Sequence, residues 1–301
     1  MRLEGSRRIA MKYQIKNDKL QVEILSLGAQ MCSIKGADGT EYLWQGNAKY
    51  WEDMAPNLFP YIARMTEKKY TVYGNSYEMD IHGFAKNTVF DVVQKAEDHI
   101  LFSISDSDET RKQYPFAFVF EVDYRLEGSK LLITYGVKNN DDKVMYFGVG
   151  GHPGFNVPME EGLEFEDYYL EFDTVEDAKR VGFSEDCFVT GNDVKYHLED
   201  GKRIPLRHDM FDDDAIILVN MSRGVKLTSD KGKKAIHVTY PDMPYLGFWH
   251  WPKTDAPYIC IEPWSSLPSR KGVIEDLETQ PGLVKLEPNG LYQNQFMIEI
   301  K

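Results

Sequence analysis

The stretch Lys19-Leu20-Gln21-Val22-Glu23-Ile24-Leu25 alternates polar and apolar side chains. That is the period-2 mark of a strand with one buried face. Shortly after it, Ala37-Asp38-Gly39-Thr40 carries an Asp-Gly hairpin signal, followed by the strand-like Glu41-Tyr42-Leu43-Trp44. Outward from this pair, strand-like segments recur at residues 88–93, 100–105, 116–126, 130–139, 168–172, 226–229 and 235–239. Glu127-Gly128-Ser129 and Asn139-Asn140-Asp141-Asp142 read as turns between them, and Asp230-Lys231-Gly232-Lys233-Lys234 as an exposed hairpin turn. Helical signals are scarce. Residues 53–64 have room for a turn, limited by Pro56 and Pro60, and residues 282–286 read as loop. There is no internal repeat, no linker and no break in composition near the middle. The pattern predicts an all-β protein, one large antiparallel β-sandwich over residues 11–301. In such a fold functional groups come from the open face of a sheet or from rim loops. Residues 1–10 read as a leader, with the natural start at Met11.

Composition narrows the function. The 301 residues carry a net charge of −13, which disfavours nucleic acid and anionic membrane as partners. Cys32, Cys187 and Cys260 are far apart and unpaired in spacing, which fits small buried residues in a reducing compartment rather than a disulfide frame or a zinc site. Without a signal-peptide pattern or an apolar run of membrane-spanning length, the cytoplasm is the expected location. Nothing in the sequence sets an oligomeric state.

Four short islands place an ionisable residue among Gly, Pro and aromatics. They are Asn57-Leu58-Phe59-Pro60-Tyr61-Ile62-Ala63-Arg64, Ile81-His82-Gly83-Phe84, Gly150-Gly151-His152-Pro153-Gly154-Phe155, and Cys260-Ile261-Glu262-Pro263-Trp264. His152 follows a strand and two glycines that permit a sharp turn, and an ordinary pKa of about 6.5 suits a histidine to acid catalysis near neutral pH. Equally, it could be a turn histidine bonded to a carbonyl. Glu262 sits between an apolar strand and Pro263-Trp264, where partial desolvation would favour general-base work. The plainer alternative is an ion pair with Arg64 or Arg270. Arg64 and His82 offer donors for hydroxyls. In the run Asp212-Asp213-Asp214 the last member, entering a strand, is the one placed to point into a site. His99, His197, His208, His237 and His250 read as structural or surface residues. The phosphate-loop, nucleophile-elbow and paired-cysteine patterns are missing, which removes nucleotide, esterase and zinc readings.

In these islands, their order and their spacing, with Tyr50-Trp51 upstream, the chain resembles the aldose 1-epimerase (galactose mutarotase) family, in particular its LacX-like branch. The resemblance runs from about Leu20 to Ile300. It implies a large antiparallel β-supersandwich with an open sugar cleft, a small-molecule sugar as partner, and no cofactor or metal. It makes Glu262 the general base and His152 the general acid. Arg64, His82 and Asp214 become the sugar-binding residues. Three departures concern the identity of the sugar: Ala85-Lys86 after His82-Gly83-Phe84, Gly151 before His152, and Pro263-Trp264 after Glu262.

The implied reaction interconverts the α and β anomers of a free aldose. Glu262 takes the C1 hydroxyl proton while His152 protonates the ring oxygen. The C1–O5 bond opens, C1–C2 rotates, and the reverse transfers close the ring. This scheme expects the two groups on opposite sides of the anomeric centre and His152 titrating near neutrality. The rival readings are a non-catalytic sugar-binding protein on the same scaffold, a glycosidase using Asp214 with Glu262, and a hexose-6-phosphate epimerase using Lys68, Lys86 or Arg270.

Overall fold

The computed structural model describes residues 10–301, so the leader expected at residues 1–10 lies outside the described residues apart from its last position. Two large sheets dominate, and every strand pairing within them is antiparallel. The all-β expectation holds. One sheet has nine strands. At its centre, Leu291–Ile300 lies between Lys130–Asn139 and Ile236–Thr239, and Phe118–Glu127 and His99–Ser105 continue it to one side. The other has eight, with Tyr258–Trp264 at its centre, flanked by Tyr245–Trp249 and then Ile216–Val219 on one side. On the opposite side come Gly150–Gly151 and Asn57–Leu58.

Alternation explains how the sheets stack. In Phe118–Glu127 the side chains of Phe118, Phe120, Val122, Tyr124 and Leu126 are buried, and the residues between them are more open. Its partner Lys130–Asn139 buries Leu131, Ile133, Tyr135 and Val137 in the same manner. These side chains meet Ile216, Leu218, Leu246, Phe248, Ile259 and Ile261 of the eight-stranded sheet in one core. Fully burying an aliphatic or Phe side chain contributes about 1.5–3 kcal/mol, so this inner face fixes the register of both sheets. Residues of opposite parity on the eight-stranded sheet face outward. Leu58, Ile217 and Trp264 form one small cluster there, and Tyr258 and Cys260 join Trp44 and Ala256 in another. The outward face of the eight-stranded sheet is therefore the floor on which a site can be built.

Most predicted strands are present within a few residues. Three readings change. Glu41 to Trp44 forms only isolated bridges, Leu43 to Phe155 among them, because Gly154–Asn156 runs on to pair with Tyr258–Trp264 instead. Residues 282–286 are not all loop, since Val284–Leu286 pairs with Met145–Phe147. A short helix at Asp108–Gln113 was not foreseen. It starts at a capping box in which the Thr110 N–H donates to Ser107 Oγ at 3.2 Å and the Ser107 N–H donates to Thr110 Oγ1 at 2.8 Å. No described helix is long and apolar enough to cross a membrane.

Candidate active site

A cavity of about 430 Å³ opens on the outward face of the eight-stranded sheet, and Arg64, His82, His152, Asp214 and Glu262 all line it. Each arrives by a different local device. Glu262 is the fifth residue of Tyr258–Trp264, on the outward parity with Cys260 and Trp264. Opposite it on the neighbouring strand stands Gly247, where an added Cβ would meet Ile217 Cδ1 at 3.0 Å and Glu262 Cβ at 3.2 Å. The glycine lets the two strands carry a bulky carboxylate between them.

His152 leaves the sheet directly after Gly150–Gly151, which pairs with Leu58 and Asn57 on one side and Trp264 on the other. Its N–H donates to Pro56 O at 3.1 Å, and its ring packs against Trp51 (4.9 Å between centroids) and Trp249 (5.7 Å). His82 stands at φ 66°, in the left-handed region that non-glycine residues seldom adopt. It is held there by reciprocal bonds with Ala63, itself at φ 55°: the His82 N–H donates to Ala63 O at 2.9 Å, and the Ala63 N–H donates to His82 Nδ1 at 3.1 Å. An accepting Nδ1 leaves the proton of the neutral ring on Nε2, so His82 can offer a donor to a ligand.

Asp214 also has positive φ, 73°. Its Oδ1 accepts from the Ala215 N–H at 2.8 Å and its Oδ2 accepts the Cys187 thiol proton at 2.8 Å. Arg64 is exposed at the rim and forms no ion pair among the described residues, so its guanidinium is available to a ligand. The ion-pair alternative for Glu262 fails on this geometry. Arg270 is instead held by Glu275, at 3.0 Å through Nε and 2.8 Å through Nη2.

Glu262 Oε2 and His152 Nε2 stand 3.2 Å apart, at residues 1% and 8% exposed. They touch without the alignment of a hydrogen bond, and among the described residues Glu262 Oε2 and His152 Nδ1 are both left without partners. Burying polar atoms this way is costly, and such atoms are those a ligand would satisfy. Burial pushes the Glu262 carboxyl well above the usual range; the Asp214 charge adds to this and the Trp264 indole opposes it. Burial pushes His152 down to about 3, helped by the Lys86 ammonium. Burial likewise holds His82 well below an ordinary histidine, with His152, Lys86 and Arg64 contributing.

Two expectations are thereby corrected. His152 and Glu262 are neighbours rather than opposed across an open gap, because adjacent strands deliver them to one face. His152 is also held well below neutrality, because it is buried between tryptophans. Burial disfavours charge on both groups, and a protonated carboxyl beside a neutral imidazole would hold the same single proton as a carboxylate beside an imidazolium.

Other lining groups escaped the sequence reading. Trp249 and Trp251 supply aromatic walls, while Asp53, Asp213 and Cys187 add polar ones. Cys187 is half-buried at the site rather than a core residue, and burial and Asp214 push its thiol up to about 12. Only its hairpin partner would have located it: Phe183 and Val189 bridge to close the loop that carries it. His152, Cys260 and Glu262 have donor atoms close enough together to hold a metal ion.

The family model described as "Aldose 1-epimerase" matches residues 11–276. Protein LacX of Lactococcus lactis subsp. lactis, in its plasmid form, is 33% identical over 96% of this chain and 99% of its own length. A galactose mutarotase related enzyme from Lactobacillus acidophilus superposes with a TM-score of 0.92 at 36% identity, covering 97% of both chains. A galactose mutarotase-like protein from Lactobacillus casei gives the same TM-score at 32% identity, over 97% of this chain and all of the other.

Proposed function

The chain belongs to the aldose 1-epimerase family, and on that premise we propose that it catalyses the interconversion of α and β anomers of a free aldose. The observation that carries the proposal is the contact between Glu262 and His152. These are a carboxyl group and an imidazole 3.2 Å apart, able to share one proton and buried at the floor of an open cavity. The anomeric hydroxyl and the ring oxygen are bonded to one carbon, so two adjacent groups can serve both from one side of the sugar.

In the proposed cycle the shared proton moves to His152 as the sugar's hydroxyls enter and solvate the pair. Glu262 then accepts the O1 proton, C1=O1 forms, the C1–O5 bond breaks, and O5 receives the His152 proton. After rotation about C1–C2, Glu262 returns its proton to O1 and His152 takes back the O5 proton as the ring closes. Each transfer of this kind is typically worth about 10²–10⁴-fold. Arg64, the Nε2–H of His82 and the Asp214 carboxylate hold hydroxyls, which places binding energy into orientation. Trp51, Trp249 and Trp251 supply surfaces for the apolar faces of a pyranose ring.

Among the described residues, four carboxyl residues line the cavity, Asp53, Asp213, Asp214 and Glu262, against two cationic ones, Arg64 and Lys86. Lys86 is paired with Asp53 at 3.1 Å. This balance supports an unphosphorylated sugar over a hexose 6-phosphate.

The test is Glu262→Gln. The variant should bind aldose, measured by calorimetry, and no longer accelerate mutarotation. A variant that turns over normally would remove Glu262 from the chemistry. A wild-type protein that binds aldose without accelerating mutarotation would make the site a sugar-binding one.

A further inference from the structure

Cys260 has no part in the chemistry proposed above. It stands two residues before Glu262 on the same strand and so shares its outward face. One donor atom each from His152, Cys260 and Glu262, all buried residues, lies within 4.8 Å of the others. Among the described residues Glu262 Oε2 is buried without a hydrogen-bond partner, and so is Nδ1 of His152, whose other ring nitrogen, Nε2, meets that oxygen.

We propose that His152, Cys260 and Glu262 form a binding site for a thiophilic divalent cation of the zinc type, and that its occupancy switches the protein off. Three protein ligands of imidazole, thiolate and carboxylate type, with a fourth position open, are the composition of an accessible zinc site. A thiolate in the set selects against magnesium and calcium, which take oxygen ligands. Zinc bonds of about 2.0–2.3 Å in a tetrahedron separate the donors by roughly 3.3–3.8 Å. The His152–Glu262 contact of 3.2 Å is already near that value. Cys260 has to close by at most about 1.5 Å to reach the same range.

Charge supports the assignment. A divalent cation with one thiolate and one carboxylate is neutral overall, so it avoids the cost of an unpaired charge in a buried place. Binding releases the Cys260 thiol proton and the Glu262 carboxyl proton to solvent. The ion has a route in, because His152 and Glu262 line the open cavity while Asp53, Asp213 and Asp214 surround it with acceptors that attract cations.

The inhibitory half of the proposal rests on the mutarotase reading, since a cation on Glu262 and His152 occupies the groups assigned to the anomeric centre. The binding half does not. The experiment is therefore a Co²⁺ titration of the full chain followed by absorption, with Zn²⁺ competition, run beside a ZnCl₂ titration of aldose mutarotation. We expect one Co²⁺ per chain, a thiolate-to-cobalt charge-transfer band, and its loss when Zn²⁺ is added. Cys260→Ser should lose the band and weaken zinc inhibition at least about tenfold, with turnover in the absence of zinc unchanged. Cys187→Ser should keep the band. Failure to bind Co²⁺ or Zn²⁺, or a band that survives Cys260→Ser, overturns the site. A band that depends on Cys260 in a protein whose mutarotation zinc does not inhibit overturns the switch. If the protein proves to have no mutarotase activity, the Co²⁺ titration still decides the site.

Discussion

Replacing His152 with Asn tests the burial of the catalytic pair through stability as well as rate. In the folded protein burial holds His152 neutral down to a pKa of about 3, whereas an unfolded chain protonates a histidine near 6.5. Below pH 6.5 the unfolded chain therefore binds a proton that the native state refuses, and native stability falls as the pH falls. The slope approaches about 1.4 kcal/mol per pH unit, so this one group removes about 2 kcal/mol between pH 6.5 and about 4.5. His250, pushed down to about 4 by burial, and His82, held low by burial, add to the wild-type loss. His152→Asn removes one share of it. Urea unfolding of both proteins at a series of pH values across this window should show the variant's stability falling less by about 2 kcal/mol. Turnover per folded molecule at neutral pH should fall roughly 10²-fold or more, with sugar affinity reduced much less. Parallel stability curves would refute the buried-neutral assignment. A variant that melts early yet turns over normally would make His152 a turn histidine and leave the acid unidentified.

Glu262→Gln should raise the unfolding temperature at about pH 8 as well as abolish mutarotation. A carboxyl whose native pKa is raised above its unfolded value loses stability as the pH climbs through the native value, and Gln has no such charge; an unchanged or lower melting temperature in calorimetry would contradict this. Gly83→Ala should destabilise by about 1–3 kcal/mol and weaken sugar binding, because Gly83 has φ +71° and its Cβ would stand 2.3 Å from Phe59 O, displacing His82; a variant with wild-type melting and affinity would show that the turn is not needed. EDTA should leave mutarotation undiminished, since no step above uses a metal, and loss of activity restored by one divalent ion would overturn the scheme.

The long alternating strands could be read directly because one face of each meets the core. Phe118–Glu127 and Lys130–Asn139 are examples. Leu291–Ile300 was harder to see although it is central. Its first three residues, Leu291, Tyr292 and Gln293, lie in exposed or half-buried positions, and regular burial begins only at Asn294. Four of the ionisable site residues were visible because Gly, Pro and aromatic neighbours set each apart, Asp214 was visible only as the last of an aspartate run entering a strand, and all five line one cavity. Their mutual geometry was not visible. The contact of His152 with Glu262 depends on Gly150 pairing with Trp264, which no local pattern encodes. The same holds for Trp249 and Cys187, brought in by a neighbouring strand and a closed loop. The depressed pKa of His152 follows from packing against Trp51 and Trp249, partners distant in sequence.

The central claim is that the Glu262–His152 pair moves protons at the anomeric centre of a free aldose. Polarimetry tests it most directly, following freshly dissolved α-glucose, α-galactose and their 6-phosphates with the wild-type protein and with Glu262→Gln. The account predicts that the wild type brings at least one free aldose to anomeric equilibrium faster than buffer, favours it over its 6-phosphate, and loses the effect in Glu262→Gln. Relaxation at the buffer rate for every sugar, or equal acceleration by the variant, would contradict it.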